Sequence, residues 1–278
     1  MIDMHVHAVH PRLPGVQVFS ALVDGSHSLI AANLRQAAAE VGVTHLLGMG
    51  CLSKDVSDPL GIEATLAIAE LMPSLSAIGV ADPRRSGDDH FAAVESQIQS
   101  GKVKALKGYL GYLHFGPDDT AYFPYYELAQ LYDIAFIFHT GDTYAKRAKV
   151  KYAHPLLIDE VAVDFPRVKF VLAHVGNPWL VDAAEVIYKN ENVWADLSGL
   201  LVGDDAYFYQ LLMQGNMETV ADRIKFVLDY TEKPDRFLYG SDWPLAPMKA
   251  YREFILRTVP ADWQQAVFET NAKLLFHL

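Results

Sequence analysis

Polar residues recur along this chain at steps close to 34 residues, each near the end of a short apolar run. His5 and Lys107 are three such steps apart, Lys107 and His139 one, His139 and His174 one, and His174 and Asp242 two. A step of that length is the size of one strand–helix unit. Eight such units fill the 278 residues. The expected fold is therefore α/β, a single (β/α)8 TIM barrel over residues 1–278. An open doubly wound sheet is the alternative, but no Gly-rich phosphate loop follows the first strand.

Apolar runs and turn signals place the strands at Ile2–His7, Thr44–Met49, Ser76–Val80, Val103–Tyr109, Ala135–Thr140, Lys169–His174, Val193–Leu197 and Arg236–Ser241. Helical stretches are expected at Leu29–Val41, Gly61–Leu71, Phe91–Gln99, Tyr125–Leu131, Leu156–Phe165, Trp179–Tyr188, Met217–Thr231 and Gln264–Phe276. In a barrel the strands run parallel, so their C-terminal ends meet at one mouth. Strand parity puts Ala135, Ile137 and His139 on one face; it groups Phe170, Leu172 and His174, and also Leu238, Gly240 and Asp242. If these faces look inward, apolar layers fill the barrel and one polar group caps each strand. Gly240 then leaves room near the axis.

Net charge and cysteine content narrow the function classes. A net charge of −11 argues against general nucleic-acid binding. The single cysteine, Cys51, excludes an intrachain disulfide framework, fits a reducing compartment and reads as a buried strand residue. No signal-peptide pattern opens the chain, and no apolar stretch reaches the length of a membrane span. The expectation is a soluble cytoplasmic protein acting on a small molecule, an anionic one being open. Neither nucleic acid nor membrane is an expected partner, and a homo-oligomer stays open.

His5-Val6-His7 supplies the first chemistry. Residues two apart on a strand point to the same face, so two imidazoles project side by side. Histidines and one carboxylate suit zinc first, and also manganese or iron. Such a metal acidifies its water, which a neighbouring carboxylate can deprotonate and an imidazole can assist. His139 and His174 end apolar strands in the same phase, and Asp242 follows another. Read alone, each histidine would be a core residue, and Asp242 a turn or helix-capping aspartate.

The ordered motifs resemble the amidohydrolase superfamily, and most its amidohydrolase-2 branch, which includes the aminocarboxymuconate-semialdehyde decarboxylase group. Asp3-Met4-His5-Val6-His7 resembles the opening D-x-H-x-H, Phe138-His139-Thr140-Gly141 the strand-5 motif and Ala173-His174-Val175-Gly176 the strand-6 motif. Asn192–Gly199 is similar to the strand-7 segment, Tyr239-Gly240-Ser241-Asp242-Trp243-Pro244 to the strand-8 G-S-D-x-P, and Asn271–Phe276 to the closing helix. The resemblance spans essentially the whole chain. It implies one divalent metal on His5, His7, His139 and Asp242, with Asp242 also handling the proton of the bound water. It implies His174 as acid/base or polarising group. Lys107 is read as an uncarboxylated, substrate-binding cation; a second metal bridged by a carboxylated Lys107 is the weaker alternative. No β-sandwich is expected beside the barrel, and Lys107 stands where a TatD-type nuclease would carry glutamate.

Two loops are expected to shape the substrate pocket. Tyr109–Gly116, after strand 4, is rich in aromatics and glycine. Asp142–Lys151, after strand 5, carries Lys146, Arg147, Lys149 and Lys151. Tyr109, Arg147 and Trp243 join Lys107 as substrate-binding candidates. The leading expectation is a metal-dependent hydrolase of a small carboxylate-bearing ester, lactone or amide. A non-oxidative decarboxylase uses the same cage, and a non-catalytic binding or regulatory barrel is the reading from another class.

Overall fold

The computed structural model describes residues 1–278. Its strands are β1 (Ile2–Val6), β2 (His45–Met49), β3 (Leu75–Val80), β4 (Val103–Gly108), β5 (Ala135–His139), β6 (Phe170–Ala173), β7 (Val193–Asp196) and β8 (Phe237–Leu238). All seven neighbouring pairs are parallel and follow sequence order. Backbone bonds close the ring between β8 and β1. Met4 donates to the Tyr239 carbonyl at 3.0 Å, Asp242 to that of His5 at 2.9 Å and His7 to that of Trp243 at 2.7 Å. The expected (β/α)8 barrel is therefore present, and its seam brings the two ends of the sequence together.

The helices are α1 (His27–Val41), α2 (Glu63–Leu71), α3 (Asp88–Gln99), α4 (Phe123–Leu131), α5 (Leu156–Asp164), α6 (Leu180–Lys189), α7 (Asp205–Met213), α8 (Asn216–Thr231), α9 (Met248–Thr258) and α10 (Asn271–Phe276). Helix α1 shows why they form. Ser26 caps its start by accepting from the Leu29 amide, and Gly42 ends it at φ 71°. Ile30, Ala31, Leu34 and Ala38 make its buried stripe. The last expected helix is split, with a π-helical turn at Ala266–Thr270 leading into α10. Helices α7 and α9 were not among those expected. No helix is long and apolar enough to cross a membrane.

Met4, Leu47, Met49, Ile78, Ala105, Ile137, Val171, Ala173 and Leu238 fill the barrel, and Ala272, Leu275 and Phe276 of α10 pack against them. Phe136, Phe138, Phe170 and Leu172 point outward, into a layer shared with Tyr122 and Tyr126. This corrects the expected parity of β6, whose inward residues are Val171 and Ala173. His174 reaches the mouth because the strand has already ended. It sits at φ 62° and Val175 at φ 42°, and this left-handed turn swings the imidazole back over the barrel.

Strand β1 carries a second irregularity. Asp3 pairs with Leu46 and Val6 with Gly48, so three steps on β1 oppose two on β2. The extra residue is a β-bulge. Met4 thus stays in the apolar interior while His5, next in sequence, also turns inward. Asp3 Oδ1 fixes the bulge by accepting from the amides of His5 (3.1 Å) and Ser241 (3.0 Å).

Candidate metal centre

The closing seam sets His5 and His7 of the β1 end beside Asp242, just beyond β8. Asp242 Oδ1 lies 3.6 Å from His5 Nε2 and 3.4 Å from His7 Nε2. One ligand atom from each of the three residues falls within 4.8 Å of the others, and all three residues are buried. His5 Nε2 and Asp242 Oδ1 have no hydrogen-bond partner. Asp242, like His174, is held at positive φ, 60°. Burial opposes ionisation of Asp242, but His7, His5 and His174 outweigh it and hold the carboxyl well below its usual range.

His5 is oriented from behind. Its Nδ1 lies 2.9 Å from Asp196 Oδ2 at the end of β7. An ionised carboxylate only accepts, so Nδ1 carries the proton and Nε2 keeps its lone pair toward Asp242. Burial, and then the charge of Lys107, lower the His5 pKa to about 4. Asp196 is held well below the usual carboxylate range: burial raises it, but His5, His174 and Lys107 together outweigh that. Asp196 Oδ1 also accepts from the amides of His174 (3.1 Å) and Ser198 (2.9 Å). Neither Asp196 nor Ser198 was singled out as a site residue in the sequence. The signal for Asp196 was its place at the end of an apolar strand, although at 22 residues past His174 it falls outside the 34-residue step.

The remaining candidates surround this core. The His174 ring centre is 5.0 Å from that of His5 and 5.0 Å from that of His139. His139 Nε2 donates to the Asp142 carbonyl at 2.8 Å, leaving Nδ1 as its free nitrogen. His139 is outside the tight group of His5, His7 and Asp242. Lys107 is completely buried, and its Nζ has no hydrogen-bond partner. Burial lowers its pKa to about 8, against the pull of Asp196 and Asp242.

A cleft of about 260 Å³ opens above these groups, reaching His7, His139, His174 and Asp242. Phe19, Tyr109, Tyr112 and Tyr144 give it aromatic walls, and no lysine or arginine lines it. Tyr109 and Tyr112 come from the expected aromatic loop. The second expected loop contributes Asp142, Thr143 and Tyr144, while the Arg147 side chain is exposed away from the lining. Trp243 faces the other way from Asp242 and packs with Val6, Ile30 and Leu34 between β1 and α1.

The amidohydrolase family model matches residues 62–278. The chain belongs to the amidohydrolase-2 family. The matched span contains His139, His174 and Asp242 and begins after β1 and β2. No curated protein matches the sequence. Solved structures share the fold across the whole length. One is an uncharacterised TIM-barrel protein of Bordetella bronchiseptica, at 19% identity and TM-score 0.69, with 99% of this chain and 98% of that one covered. Another is a probable 2-pyrone-4,6-dicarboxylic acid hydrolase of Acinetobacter baumannii with citric acid bound, at 14% identity and TM-score 0.66, covering 100% and 99%. A third is a 5-carboxyvanillate decarboxylase of Novosphingobium aromaticivorans with bound manganese and a nitrobenzoic acid, at 14% identity and TM-score 0.67, covering 100% and 97%. Among the solved structures that share the fold are a probable hydrolase, decarboxylases and a hydratase.

Proposed function

We propose that this chain is a metal-dependent hydrolase of a small carboxylate-bearing ester, lactone or amide, working at the mouth of the barrel. One observation carries the reading. His5 Nε2 and Asp242 Oδ1 face each other at 3.6 Å, buried and without hydrogen-bond partners. Two lone-pair atoms held face to face repel unless a cation lies between them. Two imidazoles and a carboxylate fit a divalent ion, zinc first, with manganese or iron next. His5, His7 and Asp242 would hold it, with His139 as the fourth candidate.

When bound, the metal supplies an acidified water and polarises the substrate carbonyl. The chain supplies the rest. Asp242 is the base at the metal; His174, across the site, would accept the proton that Asp242 has taken up and pass it to the leaving group. The aromatic walls exclude water and take a planar substrate. Lys107, beneath the site, adds positive charge toward a substrate carboxylate.

The buried, unpartnered Lys107 ammonium also supports a second reading, non-oxidative decarboxylation. Its charge beneath the site would favour an anionic group in the cleft above, such as the carboxylate that leaves. Elemental mass spectrometry of protein purified without added metal or chelator tests the shared part. About one metal per chain, lost in His5→Ala and in Asp242→Asn, is expected. About two would bring in a carboxylated Lys107; none after reconstitution would overturn the proposal. Loaded protein is then screened for lactone, ester and amide opening against carbon dioxide release from aromatic carboxylates. Release without ring or ester opening would replace hydrolysis by the second reading.

A further inference from the structure

We propose that Ser198 is a positioning residue that fixes the tautomer of His174 and ties it to His5 through one carboxylate. Ser198 is completely buried just beyond β7. Its Oγ meets three groups: Asp196 Oδ1, His174 Nδ1 at 2.9 Å and His5 Nδ1 at 3.0 Å. The contact with Asp196 is the shortest of the three. A hydroxyl has one proton to give and two lone pairs to receive with.

Asp196 Oδ1 already accepts from two backbone amides, those of His174 and Ser198. It is a pure acceptor there, so the serine gives its proton to Asp196. Only lone pairs then remain for the imidazoles. A lone pair facing a ring nitrogen is a bond only if that nitrogen carries hydrogen. His174 is therefore held with its proton on Nδ1, and its Nε2 is free in the neutral ring. His5 gives its own Nδ1 proton to Asp196 Oδ2 at 2.9 Å. One carboxylate thereby sets both rings, His5 directly and His174 through the serine.

The chain is shaped to keep this contact. Gly199 sits at φ +62°, and a Cβ there would stand 2.4 Å from His174 Nδ1. Only glycine lets the turn after Ser198 close against the imidazole. The inference deepens the reading of His174 as the group that moves protons, and rests on that reading for its catalytic consequence. With Nδ1 protonated, Nε2 can accept a proton, and the resulting imidazolium is stabilised through Ser198 by Asp196.

The test is a long-range proton–nitrogen correlation spectrum of zinc-loaded, full-length protein with isotope-labelled histidine. The His174 signals are assigned by their loss in His174→Gln. A protonated Nδ1 and a bare Nε2 are expected; a proton on Nε2 overturns the proposal, whatever the protein catalyses. In Ser198→Ala, His174 should shift to the other tautomer or to a mixture, with metal stoichiometry as in the parent. An unchanged His174 pattern in that variant removes Ser198 from the role. If Ser198→Ala does not fold, the parent spectrum still decides the tautomer, and Ser198→Thr, which keeps the hydroxyl, must retain it. Once a substrate is in hand, Ser198→Ala should lower kcat by about 10- to 100-fold with KM little changed. Metal content fails separately: a metal-free protein would sink the proposed function and leave the tautomer to be read in the same sample.

Discussion

A Cβ placed on Gly240 would stand 2.7 Å from the Cβ of His5. The glycine is the gap that lets the first histidine reach Asp242 across the closing seam. Ser198 is the next neighbour, with its Cβ at 3.1 Å. Gly240→Ala should therefore push His5 off its line with Asp196 and Asp242. Overpacking of this kind costs about 1–3 kcal/mol. Metal affinity should fall by about 10-fold or more, since the ligand loses its orienting partner. Denaturant unfolding and metal titration check both effects. Unchanged affinity would mean that His5 does not need its present position to bind metal.

Lys107 is a charge kept where the apolar interior disfavours it. Its pKa falls from 10.5 to about 8, chiefly through burial. Across that window the unfolded chain holds a proton that the folded chain has released. The Lys107 contribution to stability of the metal-free protein should thus rise as pH rises from about 8 to 10.5. The buried tyrosines and Cys51, whose pKa values are raised, act in the opposite sense, so the rise is read as the difference between parent and Lys107 variant. Lys107→Met should abolish that rise. At neutral pH it should also stabilise the metal-free protein by on the order of 1–3 kcal/mol, because an uncompensated buried charge is gone. Urea midpoints at neutral and alkaline pH test this. A destabilised Lys107→Met would show that Asp196 and Asp242 depend on the ammonium more than burial penalises it.

Much of this architecture was legible because it is periodic. Eight apolar runs alternating with helical stretches pointed to a barrel ahead of an open doubly wound sheet, and the phase of His5, Lys107, His139, His174 and Asp242 pointed to one mouth. What escaped was aperiodic. The bulge at Asp3–Val6 turns two successive side chains inward, which strict alternation forbids. The positive φ of His174 undoes the parity of β6. Helix α7 is a short run of aromatic and apolar residues with a strand-like composition, marked as helical by its Asp204 cap. Helix α9 follows Pro244 and Pro247, which read as loop punctuation. Ser198 is a small polar residue with no pattern of its own; only three-dimensional convergence gives it a role.

Acidification should destabilise the metal-free protein before it reaches the carboxylate range. Burial, then Lys107, lowers His5 from 6.5 to about 4. His139 and His174 are lowered as well, both chiefly by burial. Unfolded histidines take up protons near their ordinary pKa, and the folded ones resist. Their contribution is full above about 6.5 and is lost as pH falls toward 4. Asp3 works in the opposite sense. Burial raises it from 3.8 to about 7, so its folded form gains on acidification through that range. Three histidines outweigh one aspartate, and the melting temperature of chelator-treated protein should fall between pH 6.5 and 4. A flat profile would mean that the rings protonate in place.

Tyr112 links the cleft wall to the histidines. Its hydroxyl oxygen accepts from the Tyr144 amide at 2.8 Å, and its ring centre is 5.0 Å from that of His139. Burial pushes its pKa up to about 12, so the hydroxyl stays neutral at working pH. The same loop is held at its other end by His139 Nε2, which donates to Asp142 O at 2.8 Å. Tyr112→Phe keeps the ring and removes the acceptor, leaving the Tyr144 amide to solvent. The wall from Asp142 to Tyr144 should loosen, and hydrogen exchange at Tyr144 should quicken by about 5-fold, the loss of one hydrogen bond of about 1 kcal/mol. With a substrate, KM should rise several-fold while kcat changes less, because the loss is in binding and not at the metal. Metal content should stay at the parent level. If kcat fell and KM held, the Tyr112 hydroxyl would be acting on the reacting atoms themselves, and the cleft wall would be part of the chemistry.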